Sequence, residues 1–141
     1  MKTFASIVAG CVVIGLIAGG GFQLWLDRSG EELRERGRVV TEEGYDFGAS
    51  TDQEGCVAEG LRLAGSEEGI TERALARVFV GACLERSTPT VGFCSGVPEP
   101  DEIMASAAWV VRECEARGLN GDSYCRNHLR EVQDFCGTAG R

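Results

Sequence analysis

Residues 114–136 read CEARGLNGDSYCRNHLREVQDFC, and this stretch decides the fold. The Asn120-Gly121 pair is typical of a tight turn, and Asp122 directly after it is a favourable residue at the start of a helix. Two antiparallel helices joined by this turn would bring Cys114 and Cys125 together, so the stretch predicts a helical hairpin closed by a disulfide between them. The second helix carries an apolar stripe that ends before Gly137: Cys125, Leu129, Val132, Phe135 and Cys136.

The helix before the turn is predicted to begin near Pro100 or Asp101 and to stop at Gly118, since proline favours the first turn of a helix and glycine its end. An irregular connection rich in proline and glycine precedes it. The residues at helical spacing along the predicted buried stripe are Ile103, Ala107, Val110, Val111 and Cys114.

Two further helices are predicted upstream. Thr51 and Glu54 match a capping box and place the start of a helix that runs to about Ala64. After a turn, the next helix runs from Ile70 to about Glu85, with a stripe formed by Leu75, Val78, Phe79, Ala82 and Cys83. Since no segment alternates like a strand, the fold class predicted for residues 51–141 is all-α, a small disulfide-stapled bundle of four short helices in up-down-up-down order.

Six cysteines lie in this region, an even number typical of three disulfides in an oxidising compartment. They are Cys56, Cys83, Cys94, Cys114, Cys125 and Cys136. Apart from the Cys114–Cys125 pair, the bundle places four of them at its opposite end, where two pairings are sterically reasonable. One is Cys83–Cys94 with Cys56–Cys136, and the other is Cys56–Cys83 with Cys94–Cys136. We favour the first, because Cys83 and Cys94 bracket the connection that folds back over the bundle end.

The N-terminal segment, residues 1–26, is predicted to be a transmembrane anchor. From Phe4 to Leu26 only Ser6 and Gln23 are polar, and a helix of that length would extend about 34 Å, enough to cross a bilayer core. A cleaved signal peptide with small residues around Gly20 is the first alternative. A lipoprotein in which Cys11 follows Val8-Ala9-Gly10 is the second. If the segment is an anchor, Cys11, Gly15 and Gly19 share one face suited to packing against another membrane helix.

Two signals disagree about the orientation of this segment. Arginines such as Arg28 and Arg34 follow the segment and outweigh Lys2, which favours a cytoplasmic C-terminal domain. The cysteines favour the opposite side. We follow the cysteines and predict a single-pass membrane protein whose C-terminal domain is extracytoplasmic, either periplasmic or extracellular. Residues 27–50, charged and glycine-rich, are expected to be a juxtamembrane linker with a short helix around Glu31 to Arg36.

The charge balance argues against nucleic-acid binding, and the scarcity of histidine argues against acid-base catalysis and imidazole-based metal sites. With 22 acidic against 14 basic residues the formal charge is -8, which argues against a nucleic-acid partner. His128 is the sole histidine and is predicted to be a partly exposed structural residue near the edge of its stripe. Most acid-base and imidazole-based metal schemes lack their side chains, so no catalytic residue, cofactor or metal site is predicted.

These features together predict a non-enzymatic, membrane-anchored extracytoplasmic domain that binds another protein as an accessory or assembly factor. Phe93 in the connection and Trp109 are the candidate contact residues, since aromatic side chains often anchor interfaces. Two alternatives are an extracytoplasmic carrier of a small apolar ligand such as a lipid, and a cleaved exported inhibitor or toxin.

Overall fold

The computed structural model describes residues 30–66 and 69–139. The transmembrane segment predicted for residues 1–26, including its Cys11, Gly15 and Gly19 face, lies outside these residues. None of the described helices is both long enough and apolar enough to cross a membrane. Contacts divide the chain into two units, Met1–Arg36 and Gly37–Arg141, and the second contains the domain described below.

The described part of the chain is all-α. Its five helices, in chain order, are α1 (30–48), α2 (Gln53–Ser66), α3 (Ile70–Arg86), α4 (Ile103–Ala116) and α5 (Ser123–Ala139). Among the described helices, α2, α3 and α5 pack against one another, whereas α4 packs against α5. The all-α helical bundle predicted from the sequence is therefore confirmed, with five helices in the described residues where four were predicted. Its centre is the triangle of α2, α3 and α5.

Three helix boundaries differ from those predicted. Helix α4 begins at Ile103 rather than near Pro100 or Asp101, and the other two are the start of α2 and the end of α5. The side chain of Asp52 caps α2, because its Oδ1 accepts a hydrogen bond from the backbone N–H of Gly55 at 2.8 Å. Thr51 had been predicted to provide this cap. At the other end of the domain, α5 continues through Gly137 to Ala139, since glycine lowers helix propensity without blocking the helical backbone.

Three disulfides close the domain: Cys56–Cys83, Cys94–Cys136 and Cys114–Cys125. The last confirms the hairpin predicted between α4 and α5. The favoured arrangement of the other four cysteines is wrong, and the alternative is the one observed. The first turn of α2 lies beside the end of α3, where the backbone N–H of Thr88 donates to the carbonyl of Thr51 at 2.9 Å, so Cys56 and Cys83 are already neighbours.

Residues 37–48 form helix rather than the linker predicted after Arg36. Along this half of α1 the less exposed positions are 37, 40, 41, 44, 45, 47 and 48, most of which recur at helical spacing. The Phe47 ring lies 5.7 Å from that of Phe79 on α3. A Cβ atom at Gly44 would lie 2.7 Å from the Phe79 carbonyl oxygen. Glycine is thus the residue that lets α1 rest directly on the α3 backbone.

The buried face of α4 is narrower than the stripe predicted from its periodicity. Trp109, Val110 and Cys114 are buried, but Ala107 is exposed and Ile103 retains 77% of its accessible surface. Val111, which had also been assigned to the stripe, is 46% exposed. Val78, assigned to the stripe of α3, is 42% exposed. A helix that packs against a single neighbour buries one side only, so part of its apolar surface stays in water.

We expect Gly44→Ala to destabilise the domain and Gly37→Ala to stabilise it. The new Cβ at position 44 would meet the Phe79 carbonyl and, at 2.9 Å, the Ala82 Cβ, whereas nothing lies within 4 Å of a Cβ at position 37. Overpacking of this kind costs about 1–3 kcal/mol. Replacing a helical glycine by alanine in open space gains about 0.5–1 kcal/mol.

Urea unfolding of both variants measures the two effects in the same helix. Equal stabilisation by the two substitutions would show that α1 does not rest on α3 in solution.

Candidate interaction surface

A groove of about 660 Å³ runs between α4 and α5. We call it the α4/α5 groove. Its α4 wall is mainly apolar and is formed by Ile103, Ala107, Val110 and Val111, with Pro100 just before the helix and Ser106 also lining it. Its other wall is polar and is formed by Arg77 of α3 and, from α5, by Arg126, Asn127, Arg130, Gln133 and Asp134. The groove therefore has one apolar wall and one charged wall.

Hydrogen bonds from one buried side chain hold the two walls together. Gln133 on α5 is 5% exposed. Its Nε2 donates to the Ser106 hydroxyl on α4 at 2.7 Å and to the Pro98 carbonyl at 3.1 Å. The Ser106 hydroxyl in turn donates to the carbonyl of Glu99 at 3.2 Å. A rotation of α4 would break these bonds and leave the buried amide of Gln133 without partners, which costs free energy. The bonds therefore fix the rotation of α4 and keep Ile103 and Ala107 facing out.

The charged wall carries an excess of arginine. Glu131 neutralises Arg77: the Nε of Arg77 donates a hydrogen bond to the Oε1 of Glu131 at 2.9 Å. Arg126 and Arg130 are both exposed, and neither forms an ion pair with a carboxylate of the described residues. Asp134 is the acidic residue in the lining. A locally positive strip thus lies on a chain whose formal charge is -8.

His128 lies behind this wall at the centre of the domain, and the expectation that it is partly exposed is wrong. Its side chain is 1% exposed. Nδ1 lies 2.8 Å from the carbonyl oxygen of Tyr124, which requires a proton on Nδ1, while Nε2 is buried with no hydrogen-bond partner in the described part of the chain. Burial lowers the pKa of His128 and outweighs the hydrogen bond to the Tyr124 carbonyl, which raises it; the charge of Arg77 lowers the pKa further and the charge of Glu131 raises it, both by smaller amounts.

The two aromatic residues predicted as partner contacts occupy different environments. Phe93 is half-buried in the connection and packs edge-to-face against Phe135, with ring centroids 6.3 Å apart. Trp109 is 7% exposed and belongs to the hydrophobic core. Burial of Trp109 in the core does not support its assignment as a partner contact, and the assignment of Phe93 stays a prediction.

Two rows of residues in the sequence indicate the groove. Ile103, Ala107 and Val111 follow each other at four-residue intervals on α4, and Arg126 and Arg130 do so on α5. Both rows share one side of their helices. The first row was interpreted as core, since nothing in the sequence shows how many helices cover α4, and the second row was not singled out.

The six cysteines predicted as disulfides all form them. Within residues 30–66 and 69–139 no group of three or more histidine, cysteine, aspartate or glutamate side chains is arranged to hold a metal ion. The groove offers both apolar and charged groups to a partner.

We expect the domain to lose stability as the pH falls below about 6.5, the ordinary pKa of histidine. Because burial lowers the pKa in the folded state, the unfolded chain binds the proton first. The contribution of His128 to the free energy of unfolding is complete above about pH 6.5. As the pH falls further, this contribution decreases by up to about 1.4 kcal/mol per pH unit until the pKa of the folded state is reached.

The variant His128→Leu removes this titration while leaving the carboxylates of the domain in place. Urea unfolding at pH 7.5 and 5.5 should show a smaller loss of stability for the variant than for the wild type, and His128→Asn provides a second test if the leucine variant folds poorly. Identical losses would contradict burial of a neutral imidazole.

Comparison of the chain with protein-family models, with curated proteins and with solved structures finds no match.

Proposed function

We propose that this chain is a membrane-anchored, extracytoplasmic protein-interaction domain that acts as an accessory or assembly factor without catalytic activity. The observation that carries the proposal is the apolar side of α4, where Ile103 is 77% exposed and lines the same groove as the arginines of α5. The adjacent Met104 is 82% exposed. Apolar side chains clustered on a small domain and rimmed by charge are typical of binding surfaces.

The disulfides support the compartment in this proposal. Three of them in a unit of about 100 residues indicate an oxidising, extracytoplasmic location. The membrane part of the proposal depends on the sequence, in which the stretch from Phe4 to Leu26 is long and apolar enough to span a bilayer. A domain tethered in this way needs only modest affinity, because the membrane raises the effective concentration of a partner that shares it.

The position of His128 supports a role without catalysis. General acid-base catalysis at neutral pH most often uses an imidazole that can reach the substrate. The single imidazole of this chain is 1% exposed and lies between helices. Its hydrogen bond to the Tyr124 carbonyl is local, within the same helix, so it acts as part of the core.

The shape of the α4/α5 groove favours a protein partner over a carried lipid. A lipid carrier usually encloses most of its ligand in an apolar cavity. This groove is open, and its α5 wall consists of charged and amide side chains. A helix or loop of another protein can satisfy both walls at once.

A photo-crosslinking amino acid placed at position 103, on intact membranes, tests the interaction. We expect a single, stoichiometric protein adduct from this site. Position 91 is the matched control, because Val91 is fully exposed on the connection between α3 and α4. Recovery of free monomer alone from position 103, or the same adducts from position 91, would count against a specific partner, and a lipid adduct would favour the carrier.

The mass of the mature protein, measured before and after reduction, tests the anchor and the disulfides together. We expect the mature chain to retain residues 4–26 and to gain six hydrogen atoms on reduction, two for each of the three disulfides. A mature chain that starts after Gly20 would replace the anchor by a cleaved signal peptide. Six free thiols before reduction would overturn the proposed compartment.

A further inference from the structure

We propose that the α4/α5 groove binds an acidic amphipathic helix of the partner protein. This inference deepens the proposed function and rests on it, since it names the chemistry of the partner at that site. The apolar stripe of the incoming helix would cover the α4 wall, and carboxylates along one edge would pair with the arginines of α5.

The apolar wall has the layout that receives a helix. Ile103, Ala107 and Val111 lie at successive turns of α4, so the row extends over about 12 Å, or eight residues at 1.5 Å each. The small side chain of Ala107 lies between two larger ones, which leaves room for a large apolar side chain of the partner. Helices bound in grooves present anchors at this same spacing.

The arginine wall determines the charge of the occupant. Arg126 and Arg130 are one turn apart, and side chains at this spacing start about 6 Å from each other. Glutamates one turn apart on a partner helix have the same spacing and can pair with both. Because neither arginine has a carboxylate partner among the described residues, binding does not require an existing ion pair to break.

The overall charge of the chain favours a partner helix over an anionic membrane surface. The chain beyond Lys2 contains 13 arginines against 22 carboxylates, so a flat anionic surface would face many carboxylates along with the two arginines. A helix is only about 10 Å wide. It can contact the groove alone, where the local charge is positive, and avoid most of the acidic surface.

The test uses the full-length chain in nanodiscs of neutral lipid and a fluorescently labelled 18-residue helical peptide. The peptide carries a leucine stripe with glutamates one turn apart along one edge, and a matched peptide has glutamine in their place. Fluorescence anisotropy gives the dissociation constants. We expect the acidic peptide to bind at least tenfold more tightly than the glutamine peptide and to weaken as salt is raised, because the contacts are partly solvent-exposed charges.

Substitutions in the groove identify the site. The double variant Arg126→Gln/Arg130→Gln should bind the acidic peptide about tenfold more weakly and lose most of the salt dependence. Arg112→Gln is the matched control, since Arg112 is an exposed α4 arginine outside the groove. For the apolar wall, Ile103→Ser should weaken binding and Val91→Ser should leave it unchanged.

The outcomes separate this inference from the proposed function. Failure of the acidic peptide to bind, or equal binding by the double variant, overturns the helix-in-groove inference even if crosslinking from position 103 captures a protein. Capture of no protein in membranes, combined with tight peptide binding by the groove, would instead overturn the accessory role. Binding of anionic vesicles that depends on Arg126 and Arg130, without peptide binding, would assign the groove to a membrane surface.

Discussion

Glycine allows the helices of this domain to approach each other closely, and the rest of the structure depends on that approach. At Gly60 on α2, a Cβ atom would lie 1.9 Å from the Val80 side chain of α3 and 3.7 Å from His128 of α5. At Gly48, near the end of α1, it would lie 2.4 Å from the Cys83 carbonyl. Helices this close need few large side chains between them, so the core is small and the hydrophobic contribution to stability is limited. The disulfides offset this deficit, because they restrict the unfolded chain. Two of them join neighbouring helices, and Cys94–Cys136 ties the connection between α3 and α4 to α5.

The same packing explains which elements could be predicted from the sequence. Helices α2, α3 and α5 have apolar stripes bounded by caps or turns, and their positions follow from the sequence to within a few residues. The 37–48 half of α1 was missed because its buried stripe contains Gly44 and Gly48, and glycine in a charged segment usually indicates a break. The face of α4 was misjudged for another reason. Periodicity shows that a helix is amphipathic, but it does not show how many neighbours cover it, so Ile103 and Val111 appeared to be core.

The pairing of the cysteines depends on which helix ends adjoin, and that is a property of the tertiary structure. The Cys114–Cys125 bond could be predicted because the turn between them is short. Cys83 and Cys94 are also close in sequence, but the hydrogen bond between Thr88 and Thr51 carries the chain toward the start of α2 before it turns. Cys83 therefore meets Cys56, and the connection ends beside α5, where Cys94 meets Cys136. The short sequence separation between Cys83 and Cys94 favoured the pairing that does not form.

The one-sided packing of α4 links the fold to the proposed binding role. Because Trp109, Val110 and Cys114 on one side of α4 join the core, the other side can expose Ile103 and Met104. The Cys114–Cys125 disulfide and the Gln133 hydrogen bonds hold α4 at its two ends. The groove is thus fixed before a partner arrives, and a fixed surface loses less conformational entropy on binding than one that must first order itself. A domain stapled in this way can keep an apolar surface exposed while its acidic remainder maintains solubility.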